Sequence, residues 1–310
     1  MKFKQSLAVF VVIILICSFL ACTKRREEPV QMKRLKVITT LFPLYDMAKN
    51  IGADKADVSL LVPPGVEAHS FEPKPSDVVR INEADVFVYT GKFMEPWAED
   101  VIKGAVNKNL VIVDASRGTI MIPGVFHDAG EPAGSPDPHI WLDFDNAGIM
   151  VKNILQAFQI KDSANKAMYE QKAVEYSRKL TELDSLYKAT LAACKNRTIV
   201  YGGHYAFGYL ARRYGLMYLA AQGVSPDAEP TASDLVKLVE QIKKGRIKYI
   251  FYEELTSPRI TETIAGETSA EMLLLNAAHN VSRDQLDQVV SLFDILRKNL
   301  ENLSRGLECR

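Results

Sequence analysis

The sequence predicts an α/β protein with two lobes, each a four-stranded parallel sheet flanked by helices, joined by one long rigid helix. Three observations predict it. Short runs rich in Val, Ile and Leu alternate with helical stretches in both halves of the 310-residue chain. These runs are continuous, the pattern of strands covered on both faces. Between the halves, residues 162–194 hold no Gly or Pro over 33 positions, and their apolar side chains recur at steps of three and four.

The elements follow in order. VITTLF (37–42) reads as a strand, and PLYDMAKNIG as a helix opened by Pro and closed by Gly. DVSLLVP is a second strand, SDVVRINEA a short helix, DVFVYT a third strand, 93–107 a helix and LVIVDA a fourth strand. SRGTIMIPGVFHDAGEPAGSPDPHIWLD has no period; loops this long are usually functional. Residues 145–193 are mostly helical, and 162–194 form the linking helix. The alternation then restarts. TIVYGG is a strand, HYAFGYLARRYG a helix, LMYLAA a strand and SDLVKLVEQIKKG a helix. IKYIFYEE, SPRITETIAGET and EMLLLN give strand, helix and strand, and 283–308 reads as one final helix.

The first residues lie outside this fold. Lys2 and Lys4 precede an apolar run, Leu7 to Ala21, that ends at Cys22. The run is short of the roughly 20 apolar residues of a membrane span and fits a signal. A small residue followed by Cys makes 1–21 a bacterial lipoprotein signal, Cys22 the lipid-bearing residue and 22–35 a polar tether. An uncleaved signal anchor is the competing reading. Both put the rest of the chain outside the cytoplasmic membrane, with an N-terminal lobe at 36–161 and a C-terminal lobe at 195–310.

Composition narrows the function. Lys+Arg and Asp+Glu are both 38, and no basic stripe carries interleaved aromatics, so nucleic acid is not an expected partner. Cys17 lies in the signal, which leaves Cys194 and Cys309 as candidates for a disulfide in an oxidising compartment. There is no CxxC.

The five histidines carry the chemistry. His69 follows the second strand, His204 lies between a strand and the next helix, and His279 follows the last strand. His139 lies between the long loop and a helix. Three of these four sit at or beyond the C-terminal ends of strands, the edge where open α/β sheets bind ligands. Imidazole is the commonest metal ligand. Each His comes from a different part of the chain, two per half. His127 lies in the loop beside Asp128 and Glu131 and is read as solvated, or at most a weak accessory site.

With these residues stand VITTLFPLYDMAKNI, GVEAHSFEPKPSD, DPHIWLD, GGHYAFGYLARRYGL and YEELTSPRITETIAGET. Through them the chain resembles the solute-binding lipoproteins of bacterial ABC importers for zinc and manganese, over nearly everything from Val37 to Leu307. The resemblance implies two lobes joined by a long helix, a metal in the cleft between them, and His69, His139 and His204 as ligands. In the family an Asp often follows the last strand, where this chain has Asn276. Some zinc-binding relatives use a Glu three residues further on, and that offset lands on His279. His279 is therefore the candidate fourth ligand, with water or Asn276 as the competing ways to complete the shell.

An all-imidazole shell favours Zn²⁺ over Mn²⁺, which prefers carboxylate and water oxygens. The reading is a zinc receptor delivering to an ABC permease and its ATPase, monomeric and lipid-anchored to the membrane. A manganese or iron receptor and a surface adhesin binding host matrix are the alternatives. A zinc hydrolase is disfavoured by the lack of HExxH, GxSxG or a Walker loop. Glu253 and Glu254 are read as orienting an imidazole, with Glu253 also an alternative ligand. Affinity is expected to fall below about pH 6 as imidazoles protonate. Deleting Asp128 to Ser135 is expected to leave the tight site intact.

Overall fold

The computed structural model describes residues 34–124, 135–223 and 230–310. The signal, Cys22, most of the tether, His127 and Asp128 to Gly134 lie outside the described residues.

The N-terminal half is built on β1 (Leu35–Thr39), β2 (Ala56–Leu60), β3 (Val86–Tyr89) and β4 (Val111–Asp114). The C-terminal half is built on β5 (Thr198–Tyr201), β6 (Met217–Ala220), β7 (Tyr249–Tyr252) and β8 (Glu271–Leu274). Every pairing is parallel, and the orders are β2-β1-β3-β4 and β6-β5-β7-β8. The two halves thus repeat one topology. In each, the order reverses beside the first strand, which opens a crevice at the C-terminal edge.

The helices are α1 (Phe42–Gly52), α2 (Pro75–Asn82), α3 (Ala98–Lys103), α4 (Phe144–Lys161) and α5 (Lys166–Ala192), followed by α6 (Gly208–Tyr214), α7 (Ala232–Gly245), α8 (Arg259–Thr268), α9 (Arg283–Asp287) and α10 (Leu292–Gly306). The stretch predicted as one final helix is two. Val289 takes a left-handed φ of 56°, and Ser291 restarts the helix by a reciprocal cap with Asp294. The helix expected over 93–107 shortens to α3. The helix expected from His204 begins only at Gly208, which leaves His204 in a loop.

The long helix α5 is not a free spacer. Tyr169, Ala173, Tyr176, Leu180, Leu183, Tyr187 and Leu191 form a buried stripe at steps of three and four. The stripe belongs to one core with Phe42, Trp141 and Phe158 from the first half and Phe207, Leu275 and Leu300 from the second. Asp46 of α1 reinforces the joint. Its carboxylate accepts from Tyr176 Oη on α5 at 2.6 Å and from Leu292 N on α10 at 3.2 Å. Cys194, just past α5, is disulfide-bonded to Cys309, which ties the chain's end to the long helix. No helix among the described residues is long and apolar enough to cross a membrane.

Candidate metal centre

Four loops converge at the C-terminal edges of the sheets. The loop after β2 carries His69. His139 stands at the start of a short 3-10 turn, Ile140–Leu142, ahead of α4. The β5–α6 loop carries His204, and the loop after β8 carries His279. His139 and His204 are fully buried and His279 nearly so.

Three ring nitrogens meet. His139 Nε2 lies 3.2 Å from His69 Nε2 and 3.1 Å from His204 Nε2. A tetrahedral Zn²⁺ with Zn–N of about 2.05 Å has ligand-to-ligand edges of roughly 3.3 Å. The spacing matches.

Carboxylates lie behind two of the three rings. Asp137 Oδ1 is 2.8 Å from His139 Nδ1 and also accepts from His139 N at 2.9 Å. Oδ1 already accepts from the backbone N–H and so acts as an acceptor toward the ring too, which holds the proton on Nδ1 and leaves Nε2 a lone pair. Glu253 Oε1 lies 2.6 Å from His204 Nδ1. That contact is off the line a hydrogen bond needs, so neither atom counts as hydrogen-bonded. At this separation it is a charge contact and still favours the proton on Nδ1. Glu253 Oε2 accepts from His204 N at 3.2 Å. Converging lone pairs repel one another unless a cation or proton lies between them, so the donor set fits a metal ion.

Backbone makes this arrangement possible. A Cβ on Gly203 would lie 2.3 Å from Glu253 Oε2, and one on Gly202 would lie 2.7 Å from Thr261 Cβ. Only glycine lets the β5–α6 loop pass this close to Glu253 and α8.

Residues 37–306 match the model of a family described as ZnuA, zinc-uptake complex component A, periplasmic. The chain belongs to the ZnuA family. It is similar to the high-affinity zinc uptake system protein ZnuA of Bacillus subtilis, 36% identical over 281 residues that cover 88% of each chain. It is 35% identical over 292 residues to the zinc-binding protein AdcA of Streptococcus pyogenes, covering 87% of this chain and 55% of that one. The chain thus spans about half the length of that relative. Among solved structures, the Zn(II)-bound ZnuA-like domain of Streptococcus pneumoniae AdcA superposes with a TM-score of 0.77 at 32% identity, over 89% of this chain and 99% of that one.

Two acids of this candidate site are not among the residues that the sequence singles out. One is Asp137. Its signal was present in DPHIWLD, where Pro138 turns the chain so that an Asp two residues upstream can reach back to the imidazole. The other is Glu67, two residues before His69. Glu67 Oε1 accepts from His69 N at 3.0 Å, and Oε2 lies 3.7 Å from His279 Nε2.

His279 stands beside the trio instead of among its converging nitrogens. Its ring centroid is 5.7 Å from that of His204 and 6.1 Å from that of His69. Its own neighbours are carboxylates: Glu67 at Nε2, and Glu254 Oε1 at 3.9 Å from Nδ1. Ligand atoms of Glu67, Glu253 and His279 form a second close group. Asn276 makes no such approach. Its Oδ1 accepts from Ala278 N at 2.7 Å, and its backbone is gripped by Asn299, so its amide shapes the loop.

The electrostatics divide accordingly. Burial, and then the charges of neighbouring histidines, hold His69 and His139 well below the usual imidazole range. Burial alone would also lower His279. Glu67, Glu254 and Glu253 outweigh it and push that ring up to about 9. Burial pushes Asp137 and Glu254 up to about 7. Burial would likewise raise Glu67, but His279 and His69 outweigh it and hold Glu67 below the carboxylate range. The single pH window near 6 expected from unperturbed histidines is therefore split between rings shifted in opposite directions.

Proposed function

We propose that this chain is an extracytoplasmic receptor that captures Zn²⁺ and hands it to the permease of an ABC importer driven by a separate ATPase. The observation that carries this is the meeting of three Nε2 lone pairs at 3.1 and 3.2 Å, two of them backed by carboxylates. His69, His139 and His204 are three of the ligands, and His279 swings from Glu67 to complete the shell. A closed four-ligand shell holds a metal without supplying an open position for chemistry, so the chain acts as a carrier and not as an enzyme. The lobes at 36–161 and 195–310 flank the site, 162–194 links them, and Cys22 carries the lipid that holds a monomer at the membrane.

Titration of the metal-free mature chain with Zn²⁺ and Mn²⁺ in competition tests this reading. Zinc is expected to win. A preference for manganese would overturn the assignment and direct attention to Glu67 and Glu253 as ligands.

A further inference from the structure

The loop after β8 is pinned from two directions. On its own side, Ala277 N donates to Glu254 Oε2 at 3.1 Å, and Tyr201 Oη donates to Leu275 O at 3.2 Å. On the other side it crosses to the N-terminal half. Trp141 Nε1 donates to Ala277 O at 2.8 Å, and Phe42 N donates to His279 O at 3.2 Å. The most specific crossing is made by Asn280. Its Nδ2 donates one proton to Pro63 O at 2.8 Å and the other to Val66 O at 2.7 Å. Gly65 N returns a bond to Val281 O at 2.8 Å.

Asn280 is fully buried, and all its amide capacity toward that turn is used. Its Oδ1 accepts from Val281 N at 2.8 Å, which sets the amide so that both protons face the Pro63–Val66 turn. That turn leads directly into Glu67 and His69. Asn280 itself is the residue next to His279. One side chain therefore joins the loop bearing an N-terminal imidazole to the loop bearing a C-terminal one.

We propose that Asn280 is a positioning residue that clasps the two halves of the metal site, so that it sets how slowly a bound metal leaves. The proposal rests on the zinc-receptor reading for its cargo. The physical reason is the cost of opening. Parting the loops strips two carbonyls of their donors and leaves a buried amide unpaired. The bonds touch no ligand atom, so they act on the relative position of His69 and His279 and not on the metal.

Asn280→Ala removes both donors without adding charge. Asn280→Asp keeps the shape and the acceptor for Val281 N but leaves at least one of Pro63 O and Val66 O without a donor. Zinc-loaded mature chains would be mixed with excess chelator and release followed by stopped flow. Both variants are expected to release Zn²⁺ at least ~10-fold faster, while association changes much less, as is usual for contacts that hold a formed complex. The Co²⁺-loaded variants are expected to keep tetrahedral absorption, since the ligand atoms are unchanged. Release at the wild-type rate in both variants overturns the proposal, and so does loss of the tetrahedral absorption, because the residue would then be needed for the shell itself.

Should the variants not fold, amide hydrogen exchange on the wild type decides. Gly65 N–H is expected to be protected in the metal-free chain. Exchange at the rate of an open loop overturns the clasp. This arm uses no metal, so it separates failure of the clasp from failure of the zinc reading, which the wild-type titration tests.

Discussion

Asp137 and His139 form the shortest aligned link between an acid and a candidate ligand, with Oδ1 2.8 Å from Nδ1 and both side chains wholly buried. The carboxylate fixes the ring's tautomer and turns its lone pair toward His69 and His204. In Asp137→Asn an amide NH₂ can donate to Nδ1 instead, which drives the proton onto Nε2 and removes the lone pair. Zinc affinity is expected to fall by ~10–100-fold, the usual loss when such a partner is changed. Competition against a chromophoric chelator measures it, and a change under about twofold would contradict the tautomer argument.

His279→Ala addresses the fourth position. If this ring completes the shell, zinc binding weakens by roughly 10-fold or more, about 1.4 kcal/mol, and Co²⁺ loses its tetrahedral absorption. Glu67→Gln is the partner experiment. It frees His279 from its carboxylate neighbour and leaves the ring available, so its effect should be smaller. A larger loss in Glu67→Gln than in His279→Ala would make Glu67 the ligand.

Gly203→Ala links backbone to site. The new methyl would meet Glu253 Oε2 at 2.3 Å and Glu253 Cβ at 2.9 Å. Glu253 must then shift away from His204. Both Tm and zinc affinity should drop, whereas Gly202→Ala, which presses on Thr261, should lower Tm with less effect on zinc. Calorimetry of the two variants side by side separates the outcomes. Equal zinc affinity in both would mean that Glu253 does not orient His204.

Glu95 gives a pH dependence away from the metal. It is buried in the first half, where its carboxylate accepts from Thr40 Oγ1, Thr90 N and Gly91 N. Burial is the largest influence and, against those bonds, pushes it up to about 7. A folded-state value above the unfolded one means that folding favours the protonated acid. Its stabilisation is complete below the unfolded value and is lost as pH rises through about 7. The loss attributable to this group between pH 5 and 8 is on the order of 2–3 kcal/mol. Glu95→Gln, though less stable overall, should show a flatter stability curve over that range in urea titrations of the metal-free chain. An unchanged slope would assign the dependence to other groups.

Much of the architecture was legible because its signals are local. Short runs rich in Val, Ile and Leu marked all eight strands, since composition and length are local signals that need no distant partner. The unbroken step of three and four marked the long helix. The break in the final helix is not legible, because it depends on the left-handed Val289 and the Ser291–Asp294 cap, which hydrophobic periodicity does not report.

By itself the sequence determined the two repeated α/β halves, the long helix between them, and which histidines end up at the sheet edges. Chain topology places residues after strands, and that much follows from order along the chain. Tertiary structure decided the rest: that Asp137 and Glu253 lie behind two of the imidazoles, that Glu67 faces His279, that Asn276 shapes a loop, and that Asn280 reaches across to Pro63 and Val66. These depend on angles and on distances of about 3 Å between segments up to 217 residues apart. Hydrogen-bond direction at that range is set by how the halves dock, and residue order alone carries no record of it.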